Sequence, residues 1–222
     1  MDTQPKADVR NSEYGAAFLS CWVERHIRLR QERDRRIDAF TFCASGYEKP
    51  PARDFMGYRT LHTKNGFHKP LLNAYTLLGK TCGELVHVSG VPADGPVGVF
   101  ATREGGRVAV VLVNYQHDRL DSREGVTFPV EVKVALPWAP ETPVMLTHWR
   151  IDREHSNAYT VFRALGSPAE PTPEEAGKIR ARMGLETLEA GRAMRAAELG
   201  EGLRFALPCN AVSLLEIVRR DP

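Results

Sequence analysis

From Gly83 onward five short apolar runs follow one another: "ELVHVSG", "VGVFATR", "RVAVVLVNYQ", "TFPVEVKVALP" and "PVMLTHWRID". Turn-forming stretches separate them: "VPADGP", "EGG", "HDRLDSREG" and "WAPET". A chain with this texture folds only where each run buries an apolar face against another layer. "VEVKVAL" alternates, with Val130, Val132 and Val134 on one side and Glu131 and Lys133 on the other, the pattern of a half-solvated strand. "RVAVVLVN" is almost wholly apolar and predicts a central strand covered on both faces. "GLRFALPCNAVSLLEIVRR" closes the chain with two more strand-like runs. The spacing predicts an antiparallel β-sandwich.

The helical signals lie on either side of this train. "NSEYGAAFLSCWVERHIRLRQERDRR" predicts a helix capped by Asn11 or Ser12, with Phe18, Trp22 and Leu29 near one face. "IDAFTFCAS" reads as a short strand. A long loop follows, "GYEKPPARDFMGYRTLHTKNGFHKP", and loops of that length tend to be functional or disordered. "PLLNAYTLLGKTCG" predicts a second helix, with Pro70 in its first turn, an apolar stripe of Leu71, Leu72, Tyr75 and Leu78, and Gly79 or Gly83 at its end. Thr172 and Glu175 have capping-box spacing ahead of a helix that stops near Gly184. "ETLEAGRAMRAAELG" reads as one more helix, with Leu188 and Met194 as weak core contacts. One strand with two helices cannot bury both its faces, so residues 1–82 read as the tail of an α/β fold whose beginning is missing.

Composition narrows the function classes. The chain has 222 residues, enough for one large domain or two small ones, and 42% are hydrophobic. Its 30 basic and 28 acidic side chains leave a net charge of +2, which gives no reason to expect nucleic acid or an anionic membrane as partner. Cys21, Cys43, Cys82 and Cys209 lie too far apart for a zinc site and read as reduced core thiols. The start "MDTQPKADVR" is polar and reads as neither signal peptide nor membrane anchor. No run approaches the ~20 apolar residues of a spanning helix.

Two segments carry a resemblance. "FMGYRTLHTKNGFHKPLLNAYTLLGKTCGE" resembles the last barrel segment of glycoside hydrolase family 39, the β-xylosidases and α-L-iduronidases, in which a Lys-Pro opens the last barrel helix; here it is Lys69–Pro70. "HWRIDREHSNAYTVFRALGSPAEPTPEE" resembles the strand–loop–helix segment of the family's β-sandwich, and "LPCNAVSLLEI" its closing strand. The resemblance runs from about residue 12 to 218. It implies a C-terminal antiparallel β-sandwich (residues 83–222, with a helical insert near 172–199) preceded by the last strand and helices of an incomplete (β/α)8 TIM barrel (residues 1–82). It further implies a retaining hydrolase of O-glycosyl bonds, with xyloside or uronide substrates and two glutamates ~5 Å apart. On this alignment both glutamates lie upstream of Met1. The expectation is therefore of a fragment, a mis-started reading frame or a degenerate relative, inactive by itself. The alternative is a non-catalytic β-sandwich that binds carbohydrate or a partner chain.

By the same resemblance Arg59, in "RTL", falls on the arginine that grips a sugar carboxylate, a task a guanidinium performs with two parallel hydrogen bonds. The aspartate that accompanies it falls on Ser45. Arg59 and Ser45 are thus the substrate-binding candidates, and a salt bridge of Arg59 to Asp54 or Glu48 is the structural alternative. No residue is assigned as catalytic: Glu174 and Glu175 suit a helix start, and no serine sits in a nucleophile elbow. His148, Asp152 and His155 invite a metal reading. A strand-end turn, with Asp152 paired to Arg150 or Arg153 and His155, Ser156 and Asn157 bonding the backbone, explains them better. Trp138 and Trp149 read as packing rather than a sugar platform. No metal or cofactor is expected. Substrate sugar, linkage, compartment and oligomeric state have no signature in the sequence.

Overall fold

The structure is a computed structural model that describes residues 9–33, 45–47, 53–92 and 94–220. Its centre is a six-stranded antiparallel sheet built from β3 (Glu84–Val86), β4 (Val97–Glu104), β5 (Arg107–Asn114), β7 (Pro143–Ile151), β8 (Glu186–Arg195) and β10 (Ala211–Arg219). Their order is β3-β4-β5-β10-β7-β8. β5 is the covered strand that "RVAVVLVN" predicts. It lies between β4 and β10, with Val111 opposite Leu214 and Val110 opposite Leu215. A second layer, β6 (Phe128–Val132) paired with β9 (Leu203–Leu207), covers one face of the sheet.

Alternation sends one side of each strand to each layer. Val108, Val110, Leu112, Val144, Leu146, Leu215 and Ile217 meet Leu203, Leu207 and Leu199, the last from α5 (Ala196–Glu201). Ala109, Val111, Val113, Ile151, Val212 and Leu214 meet Ala16, Ala17, Leu19, Leu71, Ala74 and Leu77. Those residues come from α1 (Glu13–Arg33) and α2 (Pro70–Leu78). The sheet is thus covered by strands on one face and helices on the other. Two clusters of buried residues, the helix-facing one and the group of Phe55, Phe67, Tyr159 and Phe162, cross the boundary expected at Gly83.

The inward side of α1 differs from the expected one. Ala16, Ala17, Leu19 and Ser20 are fully buried, whereas Phe18, Trp22 and Leu29 are 37%, 39% and 39% exposed. Small side chains let the helix lie close on the sheet, so size decides the inward face here. The predicted caps also differ. Asn11 Nδ2 donates to Phe55 O at 2.7 Å, while Asn11 Oδ1 and Ser12 Oγ have no hydrogen-bond partner. In α2 the buried side is Leu71, Asn73, Ala74 and Leu77, with Pro70 at the first turn and Gly79 at the C-cap.

The helical reading of residues 186–199 is corrected. Residues 186–195 form β8, paired antiparallel with β7 from Pro143–Arg195 to Arg150–Glu186, and only 196–201 are helical. Ala, Glu, Leu and Arg favour helix locally, but the open edge of β7 supplies a ladder of hydrogen bonds, and pairing overrides propensity. Gly191 permits the approach, since a Cβ there would come 2.9 Å from Met145 Sδ. The helical insert therefore reduces to α4 (Pro173–Arg180), which carries the predicted capping box of Thr172 and Glu175, and to the single turn-and-a-half of α5. The long loop contains a strand not foreseen, β2 (Thr60–His62), which runs parallel to β1 (Ser45–Tyr47). Most of the expected strand "IDAFTFCAS", residues 37–44, lies outside the described residues.

Candidate functional site

Arg59 stands at the apex of a tight turn. Thr60 N donates to Tyr58 O at 2.9 Å, which closes a three-residue γ-turn around Arg59. Arg59 keeps a negative φ, so the turn is of the inverse, unstrained type. The loop before it is held by its neighbours. Phe55 and Gly57 adopt positive φ (55° and 79°), and their carbonyls accept from Asn11 Nδ2 and from Arg10 Nη1 at 3.1 Å. Asp54 is buried and accepts from Asn65 N (2.9 Å) and Asn65 Nδ2 (2.7 Å). Both oxygens of that alternative partner are thus engaged by Asn65; Glu48, the other, lies outside the described residues. Left-handed backbone at a non-glycine residue costs of order 1–3 kcal/mol and is tolerated where surrounding bonds fix it.

The side of this loop faces a cavity of about 340 Å³ lined by Arg10, Tyr14, Phe18, Tyr58 and Arg59. Two guanidiniums and three aromatic rings at one concavity suit a ligand with an anionic group and a flat apolar face. Ser45 begins β1 and pairs in register with Thr60, the residue after Arg59, so the two sequence-derived candidates sit on adjacent backbone. The side chain of Ser45 is outside the described residues. Arg10, Tyr14 and Tyr58 were not indicated by sequence. Arg10 reaches its partner Gly57 across 47 positions, a separation that local patterning cannot register.

Below the turn lies a buried lysine. Lys69 has no exposed surface, and its Nζ donates to Tyr58 O and Thr60 Oγ1, each at 3.0 Å. Its backbone N–H donates to Leu61 O at 3.0 Å.

The stretch from His148 to Tyr159 is dense in reactive groups but folds as scaffold. Asp152 Oδ1 accepts from Glu154 N (2.7 Å), His155 N (2.8 Å) and His155 Nδ1 (2.9 Å), and Oδ2 lies 3.5 Å from Arg150. Ser156 Oγ donates to Arg150 O, and Asn157 Nδ2 donates to Asp152 O and Glu13 Oε2. Asn157 Oδ1 then caps α3 (Ala158–Ala164) by accepting from Thr160 N. That helix, which was not expected, sets Tyr159 and Phe162 against Phe55 and Phe67. Among the described residues no three His, Cys, Asp or Glu side chains are grouped to hold a metal ion.

His148 Nε2 and Ser213 Oγ share a hydrogen bond of 3.0 Å. Both are buried between the sheets, with His148 against the ring of Phe205. Burial first, and then the charge of Arg150, pushes His148 down to about 3. An imidazole of that basicity, walled off from substrate, is no general base at neutral pH. Glu174 is paired with Lys178, and Glu175 is engaged in the capping box. Trp149 lies under Lys80 Nζ, with its Nε1 donating to Glu216 at 2.7 Å, so it is packing. Of the thiols, Cys209 is buried, and burial raises it to about 11; Cys21 and Cys82 are half-buried, and Cys43 lies outside the described residues. No described helix is long and apolar enough to cross a membrane.

No protein-family model matches the sequence, and no curated protein matches it. Solved structures do match. A monomeric β-xylosidase from Caulobacter crescentus CB15 superposes with a TM-score of 0.73 at 22% identity, over 98% of this chain and 43% of that one. A bacterial orthologue of human α-L-iduronidase gives 0.71 at 20% identity, over 96% and 39%. The family 39 enzyme from Xanthomonas axonopodis pv. citri gives 0.68 at 18% identity, over 98% and 43%. The chain spans about two fifths of the length of the structures it matches. It has, over nearly all its described length, the fold of a part of the family 39 glycoside hydrolases, consistent with their C-terminal part.

Proposed function

We propose that this chain is the C-terminal part of a family 39-like glycoside hydrolase. The whole enzyme hydrolyses O-glycosyl bonds of xylosides or uronides with retention of configuration. The observation that carries this reading is the likeness of nearly the entire chain to a β-xylosidase and an iduronidase orthologue. In this reading residues 1–82 are the end of a TIM barrel and residues 83–222 its companion β-sandwich. Arg59 receives the carboxylate of a uronide, Arg10 adds positive charge at the same cavity, and Ser45 is the substrate-side neighbour that pairs with Thr60.

These 222 residues hydrolyse nothing by themselves. Retaining chemistry needs two carboxyl groups roughly 5 Å apart, across the scissile bond. Among the described residues, the buried acids Asp54 and Glu13 are engaged elsewhere: Asp54 by Asn65, and Glu13 by Ser122 and Asn157. The purified chain is to be assayed with nitrophenyl xyloside and a nitrophenyl uronide. Rates equal to buffer are expected, and turnover well above buffer refutes the inactivity. Glycan binding that ignores both the sugar carboxylate and Arg59→Ala would instead make the chain a β-sandwich binding module.

A further inference from the structure

We infer that Lys69 is the positioning residue for Arg59, a buried ammonium that clamps the γ-turn on both sides of the arginine; this rests on the reading of Arg59 as the carboxylate contact. Two partners of Lys69 Nζ flank one residue: Tyr58 O lies just before Arg59, and Thr60 Oγ1 just after it. Tyr58 O accepts twice, from Thr60 N and from Lys69 Nζ, so the ammonium reinforces the bond that closes the turn. Burying an ammonium is costly unless its donors are satisfied, and an aliphatic side chain would fill the same space without that cost. Lys69 has no exposed surface, and two of its donors are spent on the groups that flank Arg59.

The clamp is itself rigidly mounted. Lys69 caps α2 by backbone alone, its side chain taking no part in the cap, and Pro70 follows at the first helical position. α2 is tied to the sandwich through Asn73 Nδ2, which donates to Ser156 O at 2.7 Å. Hydrogen bonds thus join the Ser156 segment, α2 and the turn at Arg59. The loop side is fixed independently by Arg10 and Asn11. A guanidinium that binds a carboxylate with two parallel bonds must be held to within a fraction of an ångström, and this arrangement supplies that constraint.

The test uses the isotope-labelled full chain in four forms: wild type, Lys69→Met, Lys69→Arg and Thr60→Val. NMR reports the order parameters of the Arg59 and Thr60 amides, with amides of β5 and β10 as the measure of global fold. Titration with D-glucuronate, and with D-glucose as the neutral control, reports binding. In Lys69→Met the Arg59 amide is expected to fall from a rigid order parameter of about 0.85 to below about 0.6 while β5 and β10 stay unchanged. Glucuronate affinity should fall about tenfold, the size of a hydrogen bond to a charged group. Lys69→Arg should restore both. An Arg59 amide as rigid in folded Lys69→Met as in wild type overturns the inference. Should Lys69→Met lose the sandwich, Thr60→Val decides: loosening at Arg59 supports the clamp, and no change overturns it. A wild type that binds glucuronate no better than glucose overturns the carboxylate reading of Arg59, and the order parameters still decide the role of Lys69.

Discussion

His148 shows how residue type and residue role part company. A histidine grouped in sequence with Asp152 and His155 looks reactive, yet on strand β7 its neighbours are Phe205, Arg150 and Ser213 inside the sandwich. Its depressed basicity has a measurable consequence. The unfolded chain takes up a proton near pH 6.5, and the folded chain only near pH 3. Stability is therefore complete above pH 6.5 and declines as pH falls from there toward 3, by at most about 1.4 kcal/mol per unit from this group. Urea unfolding of wild type and His148→Gln between pH 7 and 4 should show the steeper loss in wild type; parallel curves would refute the buried neutral imidazole. Arg59 is the contrasting case: its place in "RTL" was readable, whereas the γ-turn that presents it depends on Lys69, ten residues further on and invisible to any local pattern.

At the scale of elements, legibility follows the range of the forces involved. The alternation of β6, the covered run of β5 and the capping box of α4 were all readable, because each is set within a few residues. β8 was not. Its Ala, Glu and Arg favour helix, and only the presence of β7 beside it makes a strand the better state. Its outward charges, among them Glu189, Arg192 and Arg195, suit an exposed sheet edge, which charged side chains protect from further pairing. The link from α2 to β3 turns on one position. Gly83 has φ +82°, and a Cβ there would lie 2.2 Å from Arg103 O. Backbone strain and overlap with a carbonyl act together, so Gly83→Ala should cost more than about 2 kcal/mol. Chemical denaturation measures this directly, and a loss under about 0.5 kcal/mol would mean the turn can rearrange.

For the whole molecule the decisive feature is the core shared by α1, α2 and the sheet. Helices and strands that bury one another's apolar faces unfold together. Calorimetry of the chain should show a single transition, and residues 83–222 produced alone should lose solubility, because Val111, Val113, Val212 and Leu214 would face water. Two separate transitions would mean that the helices fold apart from the sandwich. The sequence by itself determined the strand train, the central strand, the capped helix and the likeness to one family, since periodicity, capping and turn chemistry act over a few residues. Tertiary structure alone decided that Ala16, Ala17 and Leu19 rather than Phe18 and Trp22 face the sheet, that residues 186–195 pair as a strand, and that Arg10, Ser45 and Lys69 gather at the turn of Arg59. Those outcomes depend on close packing and on hydrogen bonds between residues far apart in the chain, and such contacts exist only once the layers have met.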